Sequence, residues 1–128
     1  MSALHLVILQ TSINLGIYAS VFINMMTDTM EDKTEWDSNE KTSKALLCML
    51  GLGAGSIVGW LFFGRITDKC SIKVTVLLNV FATTIAYGCL FLYAAIYKFS
   101  FPLAIAMTFT WGAQDAGATC LVNCMLGF

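Results

Sequence analysis

GLGAGSIVGWLFFGRITDKCSIK, residues 51–73, joins an apolar run to a charged cluster and then opens a second apolar run. Gly51, Gly55 and Gly59 recur every four residues, so a helix would carry them along one stripe and let another backbone approach closely. That stripe is a packing face. Arg65, Asp68, Lys69 and Lys73 then fall within nine residues, between runs with almost no charge. The pattern predicts two apolar helices joined by a short charged turn in water.

The composition agrees with a membrane setting. Of 128 residues 58% are hydrophobic and 12% charged, and the mean hydropathy is +0.76. A soluble fold would have too little polar surface, and a disordered chain would be rich in charge and poor in aromatics. A net charge of −1 without a basic face speaks against a nucleic-acid partner.

A bilayer core of roughly 30 Å needs about 20 helical residues. Four segments meet that length, at about 4–26, 45–64, 74–97 and 101–128, the last interrupted only by Asp115. Lipid offers the backbone no hydrogen-bond partner and four spans cannot close a barrel, so each is expected to be helical. The expectation is an all-α, multi-pass integral membrane protein with four transmembrane helices and the lipid bilayer as its first partner. No Lys or Arg precedes the first run, which is 23 residues long, so it reads as a retained span and not a cleaved signal.

Between the first two spans, residues 27–44 carry six acids and three lysines and read as a solvated loop without an EF-hand pattern. Pro102 stands where a first helical turn tolerates it, which makes the last two spans a tight hairpin. A count of Lys and Arg leaves the orientation undecided: Arg65, Lys69 and Lys73 on one side face Lys33, Lys41, Lys44 and Lys98 on the other.

Polar residues within the spans fall into stripes. Gln10, Asn14 and Tyr18 recur every four residues, as do Thr75, Asn79, Thr83 and Tyr87, and then Asp115, Thr119 and Asn123. Such stripes either bond helix to helix or line a polar path. Asp115, Thr119, Asn123, Asn14 and Asn79 are the cavity candidates. An isolated carboxylate at mid-membrane costs about 2.5–3.5 kcal/mol, so Asp115 calls for a cavity, a cation or a proton, and no basic residue in the spans can pair with it.

Cys48, Cys70, Cys89, Cys120 and Cys124 fit small apolar packing better than a metal set, since His5 is the single, distant histidine. No nucleophile elbow, P-loop, dinucleotide glycine pattern or catalytic carboxylate pair is present. No metal, no cofactor and no enzymatic activity are expected.

Gly64–Lys73, GRITDKCSIK, resembles the signature turn of the major facilitator superfamily, G-x-x-x-D-R/K-x-G-R/K-R/K, with Gly64, Asp68, Lys69 and Lys73 in register. Ser71 replaces its second glycine and Ile72 a basic residue. More narrowly, SINLGIYASVF at 12–22, the glycine-rich helix with its turn, and WGAQDAGATCLVNCMLGF from Trp111 resemble the Unc-ninety-three-like branch. Thr119 and Leu121 stand where that branch usually has other residues after the acid.

The resemblance implies helices seven to ten of a twelve-helix carrier whose halves rock around a central cavity. Asp68 would latch the turn against a neighbouring helix end, Lys69 and Lys73 would hold its cytoplasmic face, and Gly64 would provide a close approach. Four spans cannot make a two-repeat cavity, so a fragment of a solute transporter is expected, working with the remaining helices of a larger chain. The alternative is a non-transporting regulator or trafficking escort that binds another membrane protein through the glycine stripe.

Overall fold

The computed structural model describes residues 2–31, 36–96, 98 and 100–127, and among these every element is helical. Helix α1 (Ser2–Ile17) passes through a π-helical stretch at Tyr18–Phe22 into α2 (Ile23–Glu31), forming one rod. Helices α3 (Ser38–Lys69), α4 (Ile72–Ile96) and α5 (Phe101–Leu126) follow. The rod over Leu4–Met30, α3 and α4 are long and apolar enough to cross a membrane, which is the pattern of an integral membrane protein.

Helix α5 does not reach the same apolar level, so three helices, where four were expected, are long and apolar enough to cross a membrane. Gln114, Asp115 and Asn123 dilute its hydropathy. Burial compensates. Eleven residues of the 26 in α5 are buried, against four of the 32 in α3, so α5 is the helix that the others surround. Its largest interface is with α3, then α4, then α1.

Helices α3 and α5 run parallel, because their partners climb together: Gly51 lies beside Thr108, Gly55 beside Phe109, Gly59 beside Ala113 and Phe63 beside Gly117. A Cβ at Gly55 would fall on the Phe109 carbonyl, and one at Gly112 on the Leu52 carbonyl. Glycine on both helices is what permits this backbone approach.

The π stretch has a consequence for burial. Asn14, Tyr18, Phe22, Met26 and Met30 are all buried along one side of the rod. In an uninterrupted α-helix each fourth residue advances about 40° around the axis, and the stripe would wind away from its neighbours. The wider π turn counter-rotates it and keeps the stripe inward.

Two segments read as loops are largely helical. Of residues 27–44, α2 takes the beginning and α3 the end; residues 32–35, including Lys33, lie outside the described set. Asp37 starts α3 by accepting the Ser38 N–H at 2.8 Å. Glu40 in the first turn complements the helix dipole and pairs with Lys44 at 3.2 Å, and the Lys44 ammonium also lies 3.2 Å from the Trp36 ring centre. These local contacts carry the helix through a polar stretch. At its other end α3 continues through the charged cluster to Lys69, and the turn is only Cys70 and Ser71. At 32 residues α3 would span about 48 Å, well beyond a bilayer core, so both of its polar ends can reach water.

Helix α5 begins with Pro102 in its first turn, as the sequence suggests, and ends at Gly127, whose left-handed φ of 84° lets its N–H bond back to the Asn123 and Cys124 carbonyls.

Candidate functional site

The polar stripes of the first rod and of α4 meet each other. Tyr87 donates to Asn14 Oδ1 at 2.7 Å, Gln10 Nε2 reaches Thr83 Oγ1 at 3.5 Å, and the Thr29 and Tyr93 hydroxyls lie 2.7 Å apart. Much of this polarity is therefore helix-to-helix bonding. The α5 stripe, Asp115, Thr119 and Asn123, does not join that seam.

Where the rod, α3 and α5 converge, a cavity of about 60 Å³ remains, lined by Asn14, Leu15, Tyr18, Leu52, Ser56, Trp111, Gln114 and Asp115. It is large enough for a few water molecules. Three of its lining residues carry buried donors with no protein partner: Asn14 Nδ2, Trp111 Nε1 and Gln114 Nε2. Asn14 is 5% exposed, Trp111 3% and Gln114 1%. Buried donors left without an acceptor are uncommon in folded proteins, and here three belong to residues that line one cavity. The Ser56 hydroxyl donates to the Leu52 carbonyl at 3.0 Å, leaving its oxygen to accept. Tyr18 contacts Met49 Sδ at 3.7 Å. Its ring centre lies 5.7 Å from that of Trp111, which in turn lies 5.4 Å from that of Tyr87 in an edge-on contact, so Tyr18 and Trp111 give the cavity an aromatic lining.

Asp115 stands at the rim. Its side chain is exposed, and its carboxylate forms no ion pair or hydrogen bond with any described residue. Being one residue apart, Gln114 and Asp115 are about 100° apart around α5, so one turns inward and the other outward.

Of the sequence candidates, Asn14 and Asp115 come together at this cavity. Thr119 lines a neighbouring groove with Ile8, Thr11, Ser12 and Val122, and its hydroxyl bonds the Asp115 carbonyl at 2.9 Å. Asn123 lines neither. Asn79 lies away from the cavity, buried beside Gly117, with its Oδ1 unpaired. Ser56, Trp111 and Gln114 were not among the candidates; the signal for two of them was the i, i+3 spacing of Trp111 and Gln114, which places both toward one side of a helix.

The signature-turn residues are held differently from what the resemblance implies. Gly64 lies inside α3 with open space where a Cβ would be, so no close approach to a described residue requires it. Arg65, Asp68, Lys69 and Lys73 are exposed, and none makes an ion pair with a described residue. The corner is tied instead by Thr67, whose hydroxyl donates to the Phe63 carbonyl at 2.7 Å and lies 3.3 Å from Thr75 Oγ1 and 3.7 Å from Cys120 Sγ. All five cysteines are free thiols, with Cys48 and Cys120 buried, and no cluster of three metal-ligating side chains occurs among the described residues. The glycine stripe of Gly51, Gly55 and Gly59 is covered by α5.

No family model, curated protein or solved structure matches this chain.

Proposed function

We propose that the chain forms part of a membrane transporter that moves a small solute by alternating access, with these four helices belonging to a larger bundle of the major facilitator type. In that bundle α5 is a fourth span, enclosed by protein and not by lipid. One observation carries the proposal: three residues with unpartnered buried donors line a cavity whose rim holds an unpaired carboxylate. Structural hydrogen bonding would have satisfied those donors, as it does the Asn14 carbonyl. An intramembrane carboxylate without an ionic partner is the feature that solute and proton pathways exploit. Remaining helices of a larger chain would face the exposed side of Asp115 and close the path.

The alternative, a non-transporting regulator or escort, drew its binding surface from the glycine stripe. That surface is taken up by α5, and its remaining support is the departure at Ser71 and Ile72 from the signature turn.

Reconstitution of the complete transporter, these helices together with the remainder of the larger chain, in proteoliposomes with an imposed pH gradient tests the proposal directly. Across a panel of small solutes the protein should accumulate at least one, and Asp115→Asn should reduce the gradient-driven component at least tenfold. Uptake and proton dependence unchanged by that substitution would remove Asp115 from the mechanism.

A further inference from the structure

We infer that the cavity between the rod, α3 and α5 binds a small amine that also carries a hydrogen-bond acceptor, its ammonium at Asp115 and its acceptor oxygen on the donors of Asn14, Trp111 and Gln114. This rests on the transporter proposal for the purpose of the site, but it concerns binding alone.

The chemistry follows from what lines the space. Asp115 is its single charged residue, so the local field is negative and a free carboxylate is disfavoured as a ligand group. Nothing cationic among the lining residues answers that charge, which leaves it to the ligand. Deeper in, the unmet groups of the lining residues are N–H donors, on Asn14, Trp111 and Gln114, closed off from the open space, and they call for an oxygen acceptor that meets them as these side chains turn toward it. The two demands are met by one molecule only if it is cationic at one end and carries a carbonyl or hydroxyl at the other. Tyr18 and Trp111 add aromatic rings to the lining, which favour a cation nearby.

Size divides the ligand in the same way. About 60 Å³ admits a few heavy atoms, as it would a few waters, so the acceptor end enters while the ammonium stays at the exposed carboxylate. The π stretch that begins at Tyr18 keeps both Asn14 and Tyr18 on the inner side of the rod, and so sets the wall opposite Gln114.

The test is equilibrium binding to the purified protein in detergent, read as ligand-dependent thermal stabilisation, with four probes: glycinamide, methylammonium, acetamide and acetate. Glycinamide has both groups and should bind at least tenfold more tightly than methylammonium or acetamide, with acetate weakest. Asp115→Asn, at an exposed position, should leave the unliganded melting temperature unchanged and bring glycinamide to within about threefold of acetamide. Gln114→Met removes a donor that has no partner in the empty protein. It should hold or raise the unliganded melting temperature while weakening glycinamide at least fivefold.

Acetate binding as tightly as glycinamide, or no probe binding at all, would overturn the inference and leave a water-filled gap between helices. A fall in melting temperature for Gln114→Met with glycinamide affinity unchanged would overturn the role of the inner donors. Glycinamide binding without uptake in proteoliposomes would uphold the amine site while removing the transporter proposal, so the two fail separately.

Discussion

Helices α3 and α5 lie side by side in parallel, yet they meet the cost of polarity in opposite ways. Helix α3 is apolar over its middle and turns large side chains such as Leu50, Ile57 and Leu61 outward. Helix α5 carries Gln114, Asp115 and Asn123 through its centre and C-terminal half and hides much of its surface against α3, α4 and the rod. The difference teaches that hydropathy measures the surface a helix shows to lipid, not its place in a bundle. A helix wrapped by its neighbours can bury a polar group such as Gln114 away from lipid, whereas the exposed Asp115 is left to the remaining helices of the proposed bundle.

The comparison breaks most visibly if α5 is taken away from its neighbours. Placed alone in a membrane-insertion assay, α5 should insert far less efficiently than α4, and Asp115→Leu should improve it by about 3 kcal/mol, roughly a hundredfold in the insertion equilibrium. Glycosylation mapping of the inserted fraction reads this directly. If isolated α5 inserts as well as α4, enclosure by other helices is not what carries its polar residues.

The contact that provides this enclosure is sharper still in its demands. Gly55→Leu would drive a side chain into the Phe109 backbone, and a clash that backbone cannot evade should destabilise by about 1–3 kcal/mol or more. Gly53→Leu is the control: it lies two residues away, faces open space and should change stability little. Thermal unfolding in detergent compares the two. Equal melting temperatures would mean that α3 and α5 do not meet through the glycine face.

That glycine face was legible in the sequence, because a four-residue recurrence needs no knowledge of the partner to be recognised as a packing stripe. The helical content of the apolar runs was legible for the same reason: length and lipid leave few options. The partner itself was not. Nothing local states that Gly55 meets Phe109, and a stripe that could dock a foreign helix is filled from within the chain. Asp115 was conspicuous as a charge in an apolar run, whereas Gln114 beside it drew less notice, although the structure buries the amide and exposes the carboxylate. Adjacent residues point about 100° apart, and which one faces in depends on the rotation of the whole helix, a tertiary quantity. The charged cluster at 65–73 was read as a turn because its residues are polar, but helix propensity and exposure to water let α3 run on to Lys69 and leave only Cys70 and Ser71 as the turn. The π stretch left no mark in the sequence that periodicity could detect.

The smallest effect concerns the seam between the first rod and α4, where polarity is already satisfied. Tyr87 donates to Asn14 Oδ1, while the Asn14 amide nitrogen has no protein partner, so one side chain links the paired seam to the unpaired cavity. Tyr87→Phe removes the hydroxyl and keeps the ring that packs on Trp111. Interhelical bonds of this kind are worth about 0.6 kcal/mol on average, so the melting temperature should fall only slightly. Asn14 is the more telling readout, because without Tyr87 to hold its carbonyl the amide can rotate and present oxygen where nitrogen stood. Glycinamide binding should then weaken several-fold, more than the stability change explains. A loss of stability with affinity intact would place Asn14 in the seam alone and leave Trp111 and Gln114 as the donors that face the cavity.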